Sequence, residues 1–194
     1  MAKILTKEEF LNKRLNKEYM KRIKEGAVFI YPTDTIYGIG CDATNKQAVA
    51  RIRKLKQRHN KYPLSVIAPS KEWIEENCEV FGQGIDWLEK LPGPYTLIFK
   101  LKEEESIASE VNNNSETLGI RIPNHWFSDV VKQLDLPLIT TSVNKHAESY
   151  MTNVDNCNND IKQKVDFIIY EGEKKGKPSQ IINLIDGEVI VSRK

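Results

Sequence analysis

Hydroxyl and cationic side chains gather at the breaks between predicted elements of this chain, at spacings that suit an anion site. Thr33, Thr35 and Tyr37 stand two residues apart in Tyr31-Pro32-Thr33-Asp34-Thr35-Ile36-Tyr37. Extended backbone would send all three to one side. Lys56 and Arg58 are also two apart. A helix would splay them by about 200°, whereas an extended segment presents them together. Pro63 biases Tyr62 away from the α region, so a helix starting near Asn45 should end close to Gln57. Ser142 and Asn144 repeat the same spacing beyond a predicted strand, and Arg121, Ser179 and Arg193 also fall at strand ends. Ligand sites of open α/β sheets commonly lie outside strand ends. Lys, Arg and hydroxyl groups suit phosphoryl or nucleotidyl transfer, where positioned charge does most of the work.

Signatures of base-driven hydrolysis are missing. There is no nucleophile elbow, no HExxH and no close carboxylate pair in an apolar setting. Gly172 to Lys177 falls one residue short of a Walker loop and runs into Pro178. His59, His125 and His146 share no metal-binding spacing, and no metal ligand set is predicted. Cys41, Cys78 and Cys157 lie far apart without a CxxC pair, which suggests neither a zinc site nor a disulfide framework and reads as small apolar or incidental thiols.

The elements that must position these groups follow from periodicity. Thr6 and Glu9 form a capping-box pattern, and Phe10, Leu11, Leu15, Tyr19 and Ile23 recur at helical spacing up to Gly26. This predicts one amphipathic scaffold helix over 7–25. Short apolar runs predict strands at Ala27–Tyr31, Leu64–Ala68, Tyr95–Leu101, Leu118–Ile122, Leu136–Thr141, Phe167–Tyr170, Gln180–Leu184 and Val189–Ser192. Helices are predicted at Asn45–Gln57, Ser70–Asn77, Gly84–Lys90, Ser128–Leu134 and Ile161–Val165. Gly38 and Gly40 are read as permitting tight backbone passage near a ligand. Strands alternating with helices, then strands in series, predict an α/β fold with a mixed sheet.

At 194 residues, 40% hydrophobic and 29% charged, the chain is predicted to be a single domain over 1–194. No apolar run approaches the roughly 20 residues that span a bilayer, and the N-terminus lacks a secretory signal's apolar core. A cytoplasmic location is therefore expected. Net charge is +2, but Arg51 to Lys61 holds six basic residues and no acid. Arg51 and Lys54 read as a solvated helix face, Lys56 and Arg58 as anion partners at a break.

Five ordered motifs add a resemblance. Pro32 to Ala43 (PTDTIYGIGCDA) with Lys56-Gln57-Arg58, LPGPYTLIFK, GIRIPNH, Ser142-Val143-Asn144, and GKPSQIINL with the closing IVSRK are collinear with the YrdC-like threonylcarbamoyl-AMP synthases. The resemblance implies a twisted mixed sheet with flanking helices around a basic cleft. It also implies synthesis of threonylcarbamoyl-AMP and pyrophosphate from L-threonine, bicarbonate and ATP with Mg2+. The product would pass to downstream proteins that complete the threonylcarbamoyl modification of tRNA. Carried over by motif, Thr35, Ile67, Arg121, Ser142 and Ser179 would hold threonine. Lys56, Arg58, Tyr62, Thr117, Asn144, Thr152 and Arg193 would hold ATP, with Lys56 and Arg58 catalytic. The chain departs from the family pattern in SVNKHAES, in Ser179-Gln180, and at Tyr62 and Ile67. These departures fall on the adenine side and around threonine. Competing readings are an RNA-binding module of the same fold, a carbamoyl-phosphate-dependent adenylate former, and a family member without activity.

Overall fold

The computed structural model describes residues 2–57, 62–145, 148–185 and 190–193. The strands are β1 (Lys3–Thr6), β2 (Phe29–Tyr31), β3 (Gly38–Gly40), β4 (Ser65–Ile67), β5 (Cys78–Glu79), β6 (Tyr95–Leu101), β7 (Thr117–Arg121), β8 (Leu138–Ser142), β9 (Phe167–Tyr170), β10 (Gln180–Asn183) and β11 (Ile190–Arg193). The helices are α1 (Lys7–Leu11), α2 (Lys13–Lys24), α3 (Lys46–Lys56), α4 (Lys71–Asn77), α5 (Gln83–Glu89), α6 (Phe127–Leu134) and α7 (Asn159–Lys164). One sheet runs β1-β9-β2-β3-β8-β4-β7-β6-β10-β11, with β5 paired to β6. It is mixed, as expected: β4 pairs parallel with β7 but antiparallel with β8.

Period-two alternation divides the apolar residues between the two faces of the sheet. On one face Ile30, Ile39, Val66, Leu97, Ile120, Ile139 and Ile168 meet Val49 and Ile52 of α3 and Ile161 of α7. On the other face Phe29, Tyr31, Ile67, Leu138 and Phe167 meet Tyr19 and Ile23 of α2 and Phe127, Val130 and Leu134 of α6. This second cluster is rich in aromatic residues, with Phe10, Tyr19, Phe29, Tyr31, Phe127 and Phe167. Tyr31 stacks on Phe127 at 4.5 Å between ring centroids, and Phe29 stacks on Phe167 at 4.8 Å.

The single helix predicted over 7–25 is corrected to two. Asn12 leaves the helical conformation, closing α1 and capping α2 through its side chain to Arg14 N. Asx side chains compete with the helix for backbone donors in this way. The predicted capping box is present: Thr6 Oγ1 accepts from Glu9 N, and Glu9 returns a carboxylate to Thr6 N. The edge strand β1, parallel to β9, was not predicted. Asn45 caps α3, and Gln57 ends it in the left-handed conformation at φ 50°. Among the described residues no helix is long and apolar enough to cross a membrane.

Gly40 has a different cause from the one expected. A Cβ at Gly40 would lie 2.2 Å from Ile139 O and 2.8 Å from the Tyr31 ring. The ring lies across β3, and its hydroxyl donates to Ile139 O at 2.9 Å. Thus Gly40 makes room for an aromatic residue of the core, while Gly38 also reaches the cleft described next.

Candidate functional site

Beyond the aromatic cluster the same sheet face turns polar. Ser65, Thr140 and Ser142 share it with Arg121 and Thr96, and among the described residues none from a helix lines this part. The result is a cleft of about 340 Å³, inside the roughly 300–1,000 Å³ typical of small-molecule sites. Thr33 and Tyr37 contribute from the turn between β2 and β3. Asn144 and Tyr150 come from the loop after β8, and Pro178 and Ser179 from the strap that leads into β10.

The expectation that Thr33, Thr35 and Tyr37 project to one side is corrected. Thr33 Oγ1 donates to Ile36 O at 2.7 Å and accepts from Thr35 N, closing a tight turn. The turn breaks the extended alternation, so Thr33 and Tyr37 line the cleft while Thr35 lines a neighbouring hollow. Thr35 still joins the site through a relay. Arg121 Nη1 donates to its hydroxyl at 3.3 Å, and Thr35 Oγ1 lies 3.0 Å from Thr33 Oγ1. The other edge of Arg121 meets Asp34: Nη2 lies 2.5 Å from Oδ1, with both side chains nearly buried. Asn124 N donates to the second Asp34 oxygen at 3.0 Å.

Lys56 is also corrected in posture. It belongs to the last turn of α3 rather than to an extended segment, and it is 2% exposed. Its ammonium donates to Ser142 O, to Asn144 O at 2.8 Å and to Asn144 Oδ1 at 3.1 Å. Ser142 Oγ donates to the same Asn144 oxygen at 2.6 Å. The Lys56, Ser142 and Asn144 pattern read in sequence is therefore one hydrogen-bonded unit behind the cleft wall. Arg58 lies outside the described residues, as does the side chain of Arg193. The Arg193 backbone pairs with Ile181, which lines the cleft.

The remaining expected residues divide. Ser179 lines the cleft, its hydroxyl 2.7 Å from Thr96 Oγ1. Thr117 shares the Arg121 face of β7 but contacts Ser115. Thr152 lies in a turn, its hydroxyl taken by Asn156 Nδ2 at 2.7 Å. Tyr62 is 38% exposed and gives its carbonyl to Arg53. Ile67 is fully buried in the aromatic cluster, next to the cleft on β4 but not among its lining residues. Sequence reasoning passed over several cleft-lining residues, Ser65, Thr96, Thr140 and Tyr150 among them, and also Asp34 and Arg53. Asp34 and Thr96 sit inside quoted motifs, so a signal existed. Arg53 carried none, yet it is buried and donates to Glu110 O, Tyr62 O and Val111 O.

The strap from Glu171 to Ser179 is tied down at several points. Tyr37 Oη donates to Gly172 O at 2.6 Å, and Lys174 N donates to Thr152 O. The Glu171 carboxylate receives Trp126 Nε1 at 2.7 Å and also meets His125 and Lys174. Burial would raise this carboxyl, but those donors outweigh it and hold Glu171 below its ordinary value. Burial lowers His125 against the opposing pull of Glu171. Burial also raises the thiols of Cys41, Cys157 and Cys78, the last to about 12, which removes them as nucleophiles. Among the described residues, the polar side chains lining the cleft are hydroxyls, the Asn144 amide and the Arg121 guanidinium.

Comparison with known proteins gives a consistent result. The family described as Sua5, YciO and YrdC (telomere recombination) matches residues 21–194. A Methanocaldococcus jannaschii protein is 34% identical over 196 residues, covering 100% of this chain and 91% of its own. The threonylcarbamoyl-AMP synthase of Hydrogenovibrio crunogenus is 30% identical over 171 residues, covering 83% of this chain and 88% of its own. The structure of P. abyssi Sua5 complexed with L-threonine superposes with a TM-score of 0.86 at 25% identity. That alignment covers all of this chain and 57% of Sua5, so the chain spans a little over half of that protein's length.

Proposed function

The chain belongs to the Sua5/YciO/YrdC family, and on that premise we propose that it is an L-threonylcarbamoyladenylate synthase. It would form threonylcarbamoyl-AMP and pyrophosphate from L-threonine, bicarbonate and ATP. The observation that carries this reading is the meeting of Arg121, Ser142, Asn144 and Ser179 in one cleft, with Lys56 bonded directly behind Asn144. Each residue alone could be a turn cap or a surface pair, but their convergence on one polar stretch of sheet is what a ligand site requires.

The reaction joins two anions, so opposing charge must be neutralised at both. Arg121, with the Thr35 hydroxyl bonded to it and Ser179 reached through Thr96 on the neighbouring strand, suits the threonine carboxylate and hydroxyl. Asn144, stiffened by Lys56 and by its own bond to Glu148 O, suits the nucleotide. A carbamate oxygen bonds to the α-phosphorus as the bond to the bridging oxygen breaks, and the electron pair leaves with pyrophosphate. The carbamate is already anionic, so this step needs no general base. Magnesium would arrive on the triphosphate and neutralise its charge, as it commonly does with few protein ligands. Among the described residues no group of three or more His, Cys, Asp or Glu could hold a metal ion. Thr117, Thr152, Tyr62, Arg58 and Arg193 complete the proposed ATP side, and the product would pass to tRNA-modifying proteins in the cytoplasm. The RNA-binding alternative is weakened by Arg51 and Arg53. Arg53 is buried and bonds to backbone carbonyls, and Arg51, though exposed, is paired with Asp166 and donates to Lys164 O, so neither presents an unpaired charge to a partner.

The test is pyrophosphate release from ATP and magnesium, with and without L-threonine and bicarbonate. Release that requires both is expected. Release with neither, or no release alongside salt-sensitive RNA binding, overturns the reading.

A further inference from the structure

Among the described residues lining the cleft Arg121 is the one cation, and it does not present a bare positive charge. Asp34 Oδ1 lies 2.5 Å from one edge of the guanidinium, with the two side chains 11% and 6% exposed. Asn124 N holds the other Asp34 oxygen, so the carboxylate is fixed from two segments, the turn after β2 and the loop after β7. Asp34 lines the neighbouring hollow with Thr35 and Lys177 and is not part of the cleft wall. It therefore touches Arg121 from behind.

We infer that Asp34 is a positioning and selectivity residue, reserving the Arg121 end of the cleft for a single carboxylate and turning polyphosphates away. This inference rests on the adenylating reading above. A cleft that takes both an amino acid and a triphosphate has to stop the triphosphate from occupying the cation at the amino-acid end. With Asp34 in place the Arg121 end has almost no net charge but keeps directed donors. A monoanion gains hydrogen bonds there, and a polyanion gains little extra while meeting repulsion from Asp34. A fixed guanidinium edge also sets the angle of the bound carboxylate, since planar bidentate geometry is specific.

Calorimetric competition between L-threonine and pyrophosphate tests this without relying on turnover. In the wild-type protein pyrophosphate should leave threonine binding intact. In Asp34→Asn pyrophosphate should displace threonine, its affinity relative to threonine rising about tenfold or more. Asp34→Glu, which keeps the charge, should restore most of the discrimination, an outcome that a merely structural role would not give. Pyrophosphate that still spares threonine in Asp34→Asn overturns the inference. Should that variant fail to fold, the wild type carries the test through the phosphonic acid analogue of L-threonine, dianionic in mildly alkaline buffer. Weaker binding than L-threonine is expected, and tighter binding overturns the inference. A wild-type protein that binds no threonine at all instead overturns the proposed function, so the two failures are distinct.

Discussion

An ammonium is stable in a protein interior only where acceptors surround it, and Lys56 meets that condition through Ser142 O and both oxygens of Asn144. The same contacts make it a structural tie between the end of α3 and the cleft wall. Replacing Lys56 by Ala removes the ammonium from the part-buried Asn144 O, while Ser142 O keeps Asn144 N and Asn144 Oδ1 keeps Ser142 Oγ. A lost buried donor of this kind costs on the order of 1–3 kcal/mol. We expect Lys56→Ala to lower stability by about that amount in denaturant titration and to abolish threonine-dependent pyrophosphate release. Full activity in a folded Lys56→Ala protein would remove Lys56 from the site. Residue type and the helix end expected near Gln57 made Lys56 legible in the sequence, but its posture was not, because neither says that a side chain in the last turn folds back onto Ser142 and Asn144. Thr33 and Thr35 teach the same lesson. Their chemistry was plain in the motif, while the turn closed by the Thr33 hydroxyl, which separates their directions, depends on a contact with Ile36 O.

Elements were legible wherever periodicity was strong. The strands at Tyr95–Leu101 and Phe167–Tyr170 and the helix after Ser70 fall where apolar spacing and a cap place them. β1 carries no comparable signal, since a four-residue edge strand with an exposed Ile4 has only half a pattern. The strap over 171–179 is irregular and polar, so nothing in its periodicity announces that it borders the cleft. Its geometry depends on Gly176, where a Cβ would lie 2.2 Å from Thr35 O. That neighbour is backbone and cannot step aside as a side chain would, so Gly176→Ala must push the strap outward. Overpacking of this kind costs about 1–3 kcal/mol. Because Ser179 and Pro178 ride on the strap, we expect Gly176→Ala to raise the threonine KM about tenfold or more while leaving the ATP KM within about threefold. Equal increases for both substrates would show that the strap serves the whole cleft rather than its threonine end.

At the scale of the whole molecule, one sheet face does two jobs side by side. Toward α2 and α6 it is closed by aromatic residues, and beyond them it opens as the polar cleft, with Ile67 and Ser65 of one strand marking the change. The helices leave the cleft free and cover the apolar half, where burial supplies stability. Binary patterning could predict the two faces but not the boundary along one of them, which depends on how far α6 reaches across the sheet. This division separates two kinds of substitution. Phe127 is 1% exposed and stacks on Tyr31, so Phe127→Ala should cost about 3–5 kcal/mol. Its chemistry should persist: in the fraction that stays folded at low temperature, both KM values should remain within about twofold of wild type. Ser142→Ala removes a partly exposed hydroxyl bonded to Asn144 Oδ1 at 2.6 Å, and Lys56 still holds that oxygen. Its stability loss should stay near 1 kcal/mol, while the threonine KM rises about tenfold. Denaturant midpoints measured beside steady-state pyrophosphate release distinguish the two patterns. If Phe127→Ala raised the threonine KM as much as Ser142→Ala, the aromatic half would be shaping the cleft through Tyr31 and the neighbouring Gly38, and the two halves of the face would act as one unit.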